Sequence, residues 1–206
     1  IRSCLVGSEM CIRDSSGIHL KSLISGYLDQ KILLVEPVPY NYEVLREQYG
    51  KYKNIFICEN AILDETKKDN FFFVNKNSIS KLGKHWASQI GSFDKNHILN
   101  HKNKRFNILE EDIETAEVKF ITFANLIEKY SIKSIEKLQI DVEGAEYKIM
   151  SSIDYKKVKI GSILFESKHF DGTFTEGDKL RKIKNILIKN GYSLSQVDKE
   201  NILAKR

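Results

Sequence analysis

Cysteine and proline are scarce in this 206-residue chain, which carries three Cys (Cys4, Cys11, Cys58) and two Pro (Pro37, Pro39). An odd, sparse set of thiols argues against a disulfide scaffold and suits a reducing, cytoplasmic compartment. No Cys/His spacing matches a zinc site, and nothing in the spacing indicates a metal. No apolar run is long enough to span a bilayer, and no basic stretch followed by a long apolar core marks a signal peptide. Neither charge sign dominates: 33 basic against 28 acidic residues leave a net charge of +5. The lysines are dispersed and no RNP-like aromatic motif is present, which argues against a nucleic-acid partner. Glycine is also missing from one telling place, with none between Gly7 and Gly17.

What is present is enough apolar residue, 41% of the chain, for a sizeable core. The opening IRSCLVGSEMCIRDS does not begin with Met and holds two of the three cysteines. It resembles a translated sequencing adapter. The expectation is a non-native leader over 1–15, followed by a single domain over 16–206. A genuine short strand, Ser3 to Val6, is the plainer alternative.

From Gly17 the pattern is regular. Leu20, Leu23, Ile24, Tyr27 and Leu28 recur at helical spacing. Ile32 to Val35 reads as a buried strand, with Pro39 opening a helix to about Tyr49. Asn54 to Cys58 and Asn70 to Val74 read as strands, with Asn60 to Glu65 a turn between them. Residues 75–110 are polar and weakly periodic, and are expected to form an insertion or lid with a short helix around Lys84 to Ile90. A strand over Glu117 to Thr122, a helix over Phe123 to Tyr130, and strands over Leu138 to Val142 and Ile160 to Glu166 follow. Glu176 to Lys189 is an amphipathic helix ended by Asn190-Gly191. Tyr192 to Val197 and Asn201 to Ala204 close the chain as a hairpin. Alternating strands and helices predict an α/β fold: a doubly wound, mostly parallel, Rossmann-like sheet with an antiparallel C-terminal hairpin.

Two strand ends carry chemistry. In ILLVEP, Glu36 follows a buried strand, where a carboxylate can accept from both hydroxyls of a ribose. Many strands also end in Glu for solubility alone. In KLQIDVEGAEYKIM, Asp141, Glu143, Gly144 and Glu146 stand where a strand hands over to a helix. Acids there either complement the helix dipole or line a ligand site.

Six segments in order resemble the FkbM-type methyltransferases, a family of class I S-adenosylmethionine-dependent enzymes. IDVEGAE (Ile140–Glu146) is similar to the family's central signature, and VEPVPYNYEVL (Val35–Leu45) to its second-strand acid and following helix. NAILDE (Asn60–Glu65), ITFANLIEKY (Ile121–Tyr130), ILFE (Ile163–Glu166) and NGY (Asn190–Tyr192) complete the order. The resemblance implies S-adenosylmethionine as cofactor and O-methylation of a small-molecule or glycan acceptor, such as a sugar or polyketide hydroxyl. It implies cofactor contacts from Gly17, Glu36, Asn60, Ala61 and Asp141. It places Asp141, Glu143 and His169 as catalytic candidates, with no metal ligand indicated although a divalent ion is compatible. Asp141 reads as a base, a metal ligand or a partner of the cofactor's amino group, Glu146 as a dipole complement only. His85 and Trp86 are expected to touch substrate from the lid. Only Gly17 matches the family's glycine loop, so the first strand is expected to be missing or replaced and cofactor binding weakened. Two other readings stay open: a nucleotide-dependent α/β oxidoreductase or epimerase, and a methyltransferase-fold domain that has lost its site.

Overall fold

The computed structural model describes residues 2–5, 30–82, 87–88, 90–100, 107–142, 144–168, 170–171 and 175–206. The helix expected from Gly17 to Leu28 lies outside them. The described chain is a mixed α/β fold with two sheets. No described helix is long and apolar enough to cross a membrane.

The larger sheet has seven strands. They are β1 (Arg2–Leu5), β2 (Ile32–Val35), β3 (Ile55–Cys58), β8 (Ser134–Asp141), β9 (Lys159–Glu166), β10 (Ser193–Gln196) and β11 (Asn201–Lys205), in the order β10-β11-β9-β8-β1-β2-β3. β2 pairs parallel with β3, and β8 with β9. β1 lies between β2 and β8 and runs antiparallel to both. β10 is antiparallel to β11 and β11 to β9, so β10 regains the direction of β9. The closing hairpin therefore contributes one reversed strand to the sheet rather than two. The central slot is filled by Arg2–Leu5, one residue away from the short strand Ser3 to Val6 given as the plainer alternative.

Burial explains why these segments are strands. Every residue of β2 is buried, as expected of a strand covered on both faces. α1 (Pro39–Tyr49) starts on its proline and buries Asn41, Leu45 and Tyr49, four residues apart, on one stripe. α6 (Asp178–Lys189) buries Leu180, Ile183 and Leu187. It stops at Gly191, whose φ of +86° lets the Tyr192 amide turn back to the Leu187 carbonyl.

The second sheet was not anticipated. It has four strands in the order β4-β7-β5-β6, with β4 Ala61–Leu63, β5 Lys67–Val74, β6 Gly91–Ser92 and β7 Ile113–Thr122. The segment read as a turn, Asn60 to Glu65, thus contains a strand that pairs parallel with β7. β5 and β7 form a long antiparallel pair, aligned from Lys67↔Phe120 to Val74↔Ile113. Phe71, Phe73 and Phe120 point into the main core.

The insertion sits between β5 and β7. It holds α2 (Lys76–Leu82), β6 and α3 (Lys95–Leu99), whereas most of the helix expected at Lys84 to Ile90 lies outside the described residues. Its own small core packs Val74, Ala87, Ile90, Ile98 and Ile108. α4 (Phe123–Lys129) is N-capped by Thr122, and α5 (Glu146–Ser152) links β8 to β9.

Candidate functional site

Glu36 and Asp141 lie at the same end of the large sheet. Glu36 follows the last residue of β2, and Asp141 is the last residue of β8. β1 separates them, with Cys4 opposite Val35 and Arg2 opposite Asp141. Two strand spacings put their backbones about 10 Å apart. Both side chains are buried, at 4% and 2% exposure.

Glu36 is held by its own turn. Its Oε1 accepts from the Val38 amide at 2.9 Å. Burial raises its pKa to about 7, against the pull of that amide and of a hydrogen bond with Asn41. Asn41 in turn donates to the Ser88 carbonyl at 2.8 Å. Beside this strand end opens a cavity of about 600 Å³, bordered by Pro37, Pro39, Tyr40, Tyr42 and Asn60 on one wall and Lys68, Glu117 and Lys119 on the other. That volume suits a nucleoside-sized ligand.

Asn60 is buried, and its Oδ1 accepts from Lys129 Nζ at 3.0 Å and from the Cys58 thiol at 3.6 Å. Its neighbour Ala61 is fully buried in β4. Asn60 thus touches the cavity while Ala61 faces the core.

The signature loop has a different internal logic from the one its sequence suggested. Glu146 does not stand in an exposed first turn. It is 1% exposed and folds back over the loop. Its Oε1 accepts from the Val142 amide at 3.0 Å and its Oε2 from the Gly144 amide at 2.9 Å. Burial, reinforced by the charges of Glu166 and Asp141, raises its pKa to about 8 against the pull of its own amide and the Val142 amide. Gly144 has φ of +102°, a conformation that a side chain would strain.

Asp141, Glu146 and Glu166 each bring one oxygen within 4.8 Å of the others. Three carboxylates that close make a donor set for a hard cation. A lysine already supplies positive charge there: Lys168 Nζ lies 2.7 Å from Glu166 and 3.2 Å from Glu200. From the sequence Glu166 stands at a strand end without an assigned role, while Lys168 and the inward turn of Glu146 go unread. Glu166 ends β9 and Lys168 stands in the turn that follows, so no strand periodicity marks the pair.

Of the other expected site residues, Gly17, Glu143, His169, His85 and Trp86 lie outside the described residues or their described side chains. The structure brings one unanticipated histidine to the loop. His97 of α3 packs on Gly144, with its Cε1 3.4 Å from where a β-carbon would stand.

Residues 22–194 match the family model described as the methyltransferase FkbM domain. That match spans all of the large sheet's strands except β1, β11 and the last two residues of β10. No curated protein and no solved structure gives a match.

Proposed function

The chain belongs to the FkbM methyltransferase family, and on that premise we propose that it uses S-adenosylmethionine to methylate a hydroxyl of a small molecule. A sugar, other glycan or polyketide is the acceptor class the reading favours. One observation carries it: two buried acids, Glu36 and Asp141, end strands of one direction on either side of β1, and a nucleoside-sized cavity opens beside the turn that follows Glu36.

When bound, the cofactor supplies an activated methyl group on a sulfonium; the chain supplies alignment. Glu36 is proposed to accept from the ribose hydroxyls. The Val38 amide fixes one of its oxygens, which aims the other. Pro37, Tyr42 and Asn60 border the space proposed for the adenine. Asp141 is proposed to face the reacting end, where its carboxylate can hold an amino group or receive a proton. Gly17 is proposed to contact cofactor, and Glu143 and His169 to take part in catalysis. Alignment of nucleophile, methyl carbon and sulfur is where the rate is gained.

Calorimetric titration of this chain with millimolar S-adenosylmethionine and, separately, NAD tests the reading. Saturable heat with the first and none with the second supports it. Heat with NAD alone makes the chain an oxidoreductase-type binder. Heat with neither leaves a methyltransferase fold without its cofactor site.

A further inference from the structure

The insertion touches the segments that follow both acid-bearing strand ends. On one side its Ser88 carbonyl accepts from Asn41 Nδ2 at 2.8 Å and from the Tyr40 hydroxyl at 3.4 Å. Tyr40 and Asn41 stand just after Glu36, and Asn41 is hydrogen-bonded to it. On the other side Phe93 lies under Lys148, with Nζ 5.0 Å from the ring centre, and His97 lies against Gly144. Gly144 and Lys148 flank Glu146, whose carboxylate neighbours that of Asp141. The insertion is thus anchored both on the helix after β2 and on the loop and helix after β8.

Local sequence sets where His97 points. Asp94 caps α3 by accepting from the Asn96 amide at 2.9 Å, which fixes the start of the turn. Ile98 then enters the insertion's own core. The preceding residue is rotated by about 100° on a helix, which turns His97 away from that core. It meets the loop at the one residue without a side chain. A β-carbon on Gly144 would stand 3.4 Å from Cε1 and 3.6 Å from Nδ1 of His97.

We propose that the insertion roofs the transfer site and that His97, delivered onto Gly144, faces the reacting methyl from the acceptor side. This rests on the cofactor reading above. In such a transfer the hydroxyl oxygen gains the methyl carbon, sulfur keeps the electron pair of the broken S–C bond, and the hydroxyl proton passes to the imidazole.

The test is a nuclear Overhauser measurement on this chain with millimolar S-adenosylmethionine carrying a ¹³C-labelled methyl. His97 ring signals are assigned by their loss in His97→Gln, with His97→Asn as the second assignment variant. The expected result is a cross-peak from the labelled methyl to the His97 ring. A calorimetric affinity for S-adenosylhomocysteine within about threefold of the parent in His97→Gln is also expected, because that product lacks the methyl. Methyl cross-peaks to other protons but none to His97 overturn the assignment while leaving the cofactor reading intact. Absence of any calorimetric binding sinks both together.

Discussion

Glu146 offers the sharpest test of how the signature loop is built. Replacing it with Ala removes the acceptor of the Val142 and Gly144 amides. Val142 is buried and Gly144 exposed, so water can replace the second bond and not the first. One unsatisfied buried amide costs about 1–3 kcal/mol. With the space left by the side chain, Glu146→Ala is expected to lose about 2–4 kcal/mol. Glu146→Gln behaves differently. With its pKa raised from 4.5 to about 8, the carboxyl is mostly neutral at pH 7, and a neutral amide of the same shape resembles it. Below about pH 4.5, where the carboxyl is protonated in both folded and unfolded states, its cost is expected to be about 1 kcal/mol, from the single amide bond its NH₂ end cannot accept. The folded state holds a proton that the unfolded state releases between pH 4.5 and about 8, so this group's stabilisation is full below that window. It is lost as pH rises through it. Glu36, raised to about 7, acts in the same direction. Urea midpoints of parent and Glu146→Gln at about pH 5.5 and about pH 8.5 isolate the Glu146 share. The parent's stability relative to the variant is expected to fall by about 2 kcal/mol or more between the two. A pH-independent difference, or an Ala variant within about 0.5 kcal/mol of the parent, refutes this account of the loop.

Two further outcomes follow from the packing. Lys168→Met strips the buried Glu166 of its ion-pair partner and is expected to cost about 3 kcal/mol in urea unfolding, recovered in part by adding Glu166→Gln. Ile98→Ala empties the insertion's separate core; hydrogen exchange should quicken at residues 90–100 while the amides of β8 and β9 keep their protection.

The strands of the large sheet were legible because they are short, apolar and bounded. Ile32 to Val35 was read to the residue. Ile160 to Glu166 was read to within one, since β9 begins at Lys159. The smaller sheet was not legible. β5 opens with Lys67-Lys68-Asp69-Asn70, half-buried or exposed, and polar residues on the wet half of an antiparallel pair look like loop. β4 is three residues long and borrows its order from β7. The direction of β1 left no mark in its four residues, because reversing a strand changes no periodicity. At the site, Glu36 and Asp141 announced themselves as strand-terminal acids. Glu146 did not, since nothing in GAE tells whether a first-turn acid faces water or folds back onto its own loop. His97 was invisible for another reason. It is brought to Gly144 by a core of five small apolar residues scattered from Val74 to Ile108, too sparse to show a period.

The central claim is that the ends of β2 and β8 hold an adenosyl sulfonium between Glu36 and Asp141. The most direct measurement is the calorimetric affinity of S-adenosylmethionine for the parent and for Glu36→Ala. Charged hydrogen bonds of about 1.5–3 kcal/mol each predict at least a tenfold loss on removal of the carboxylate. Equal affinity in the two chains would contradict it.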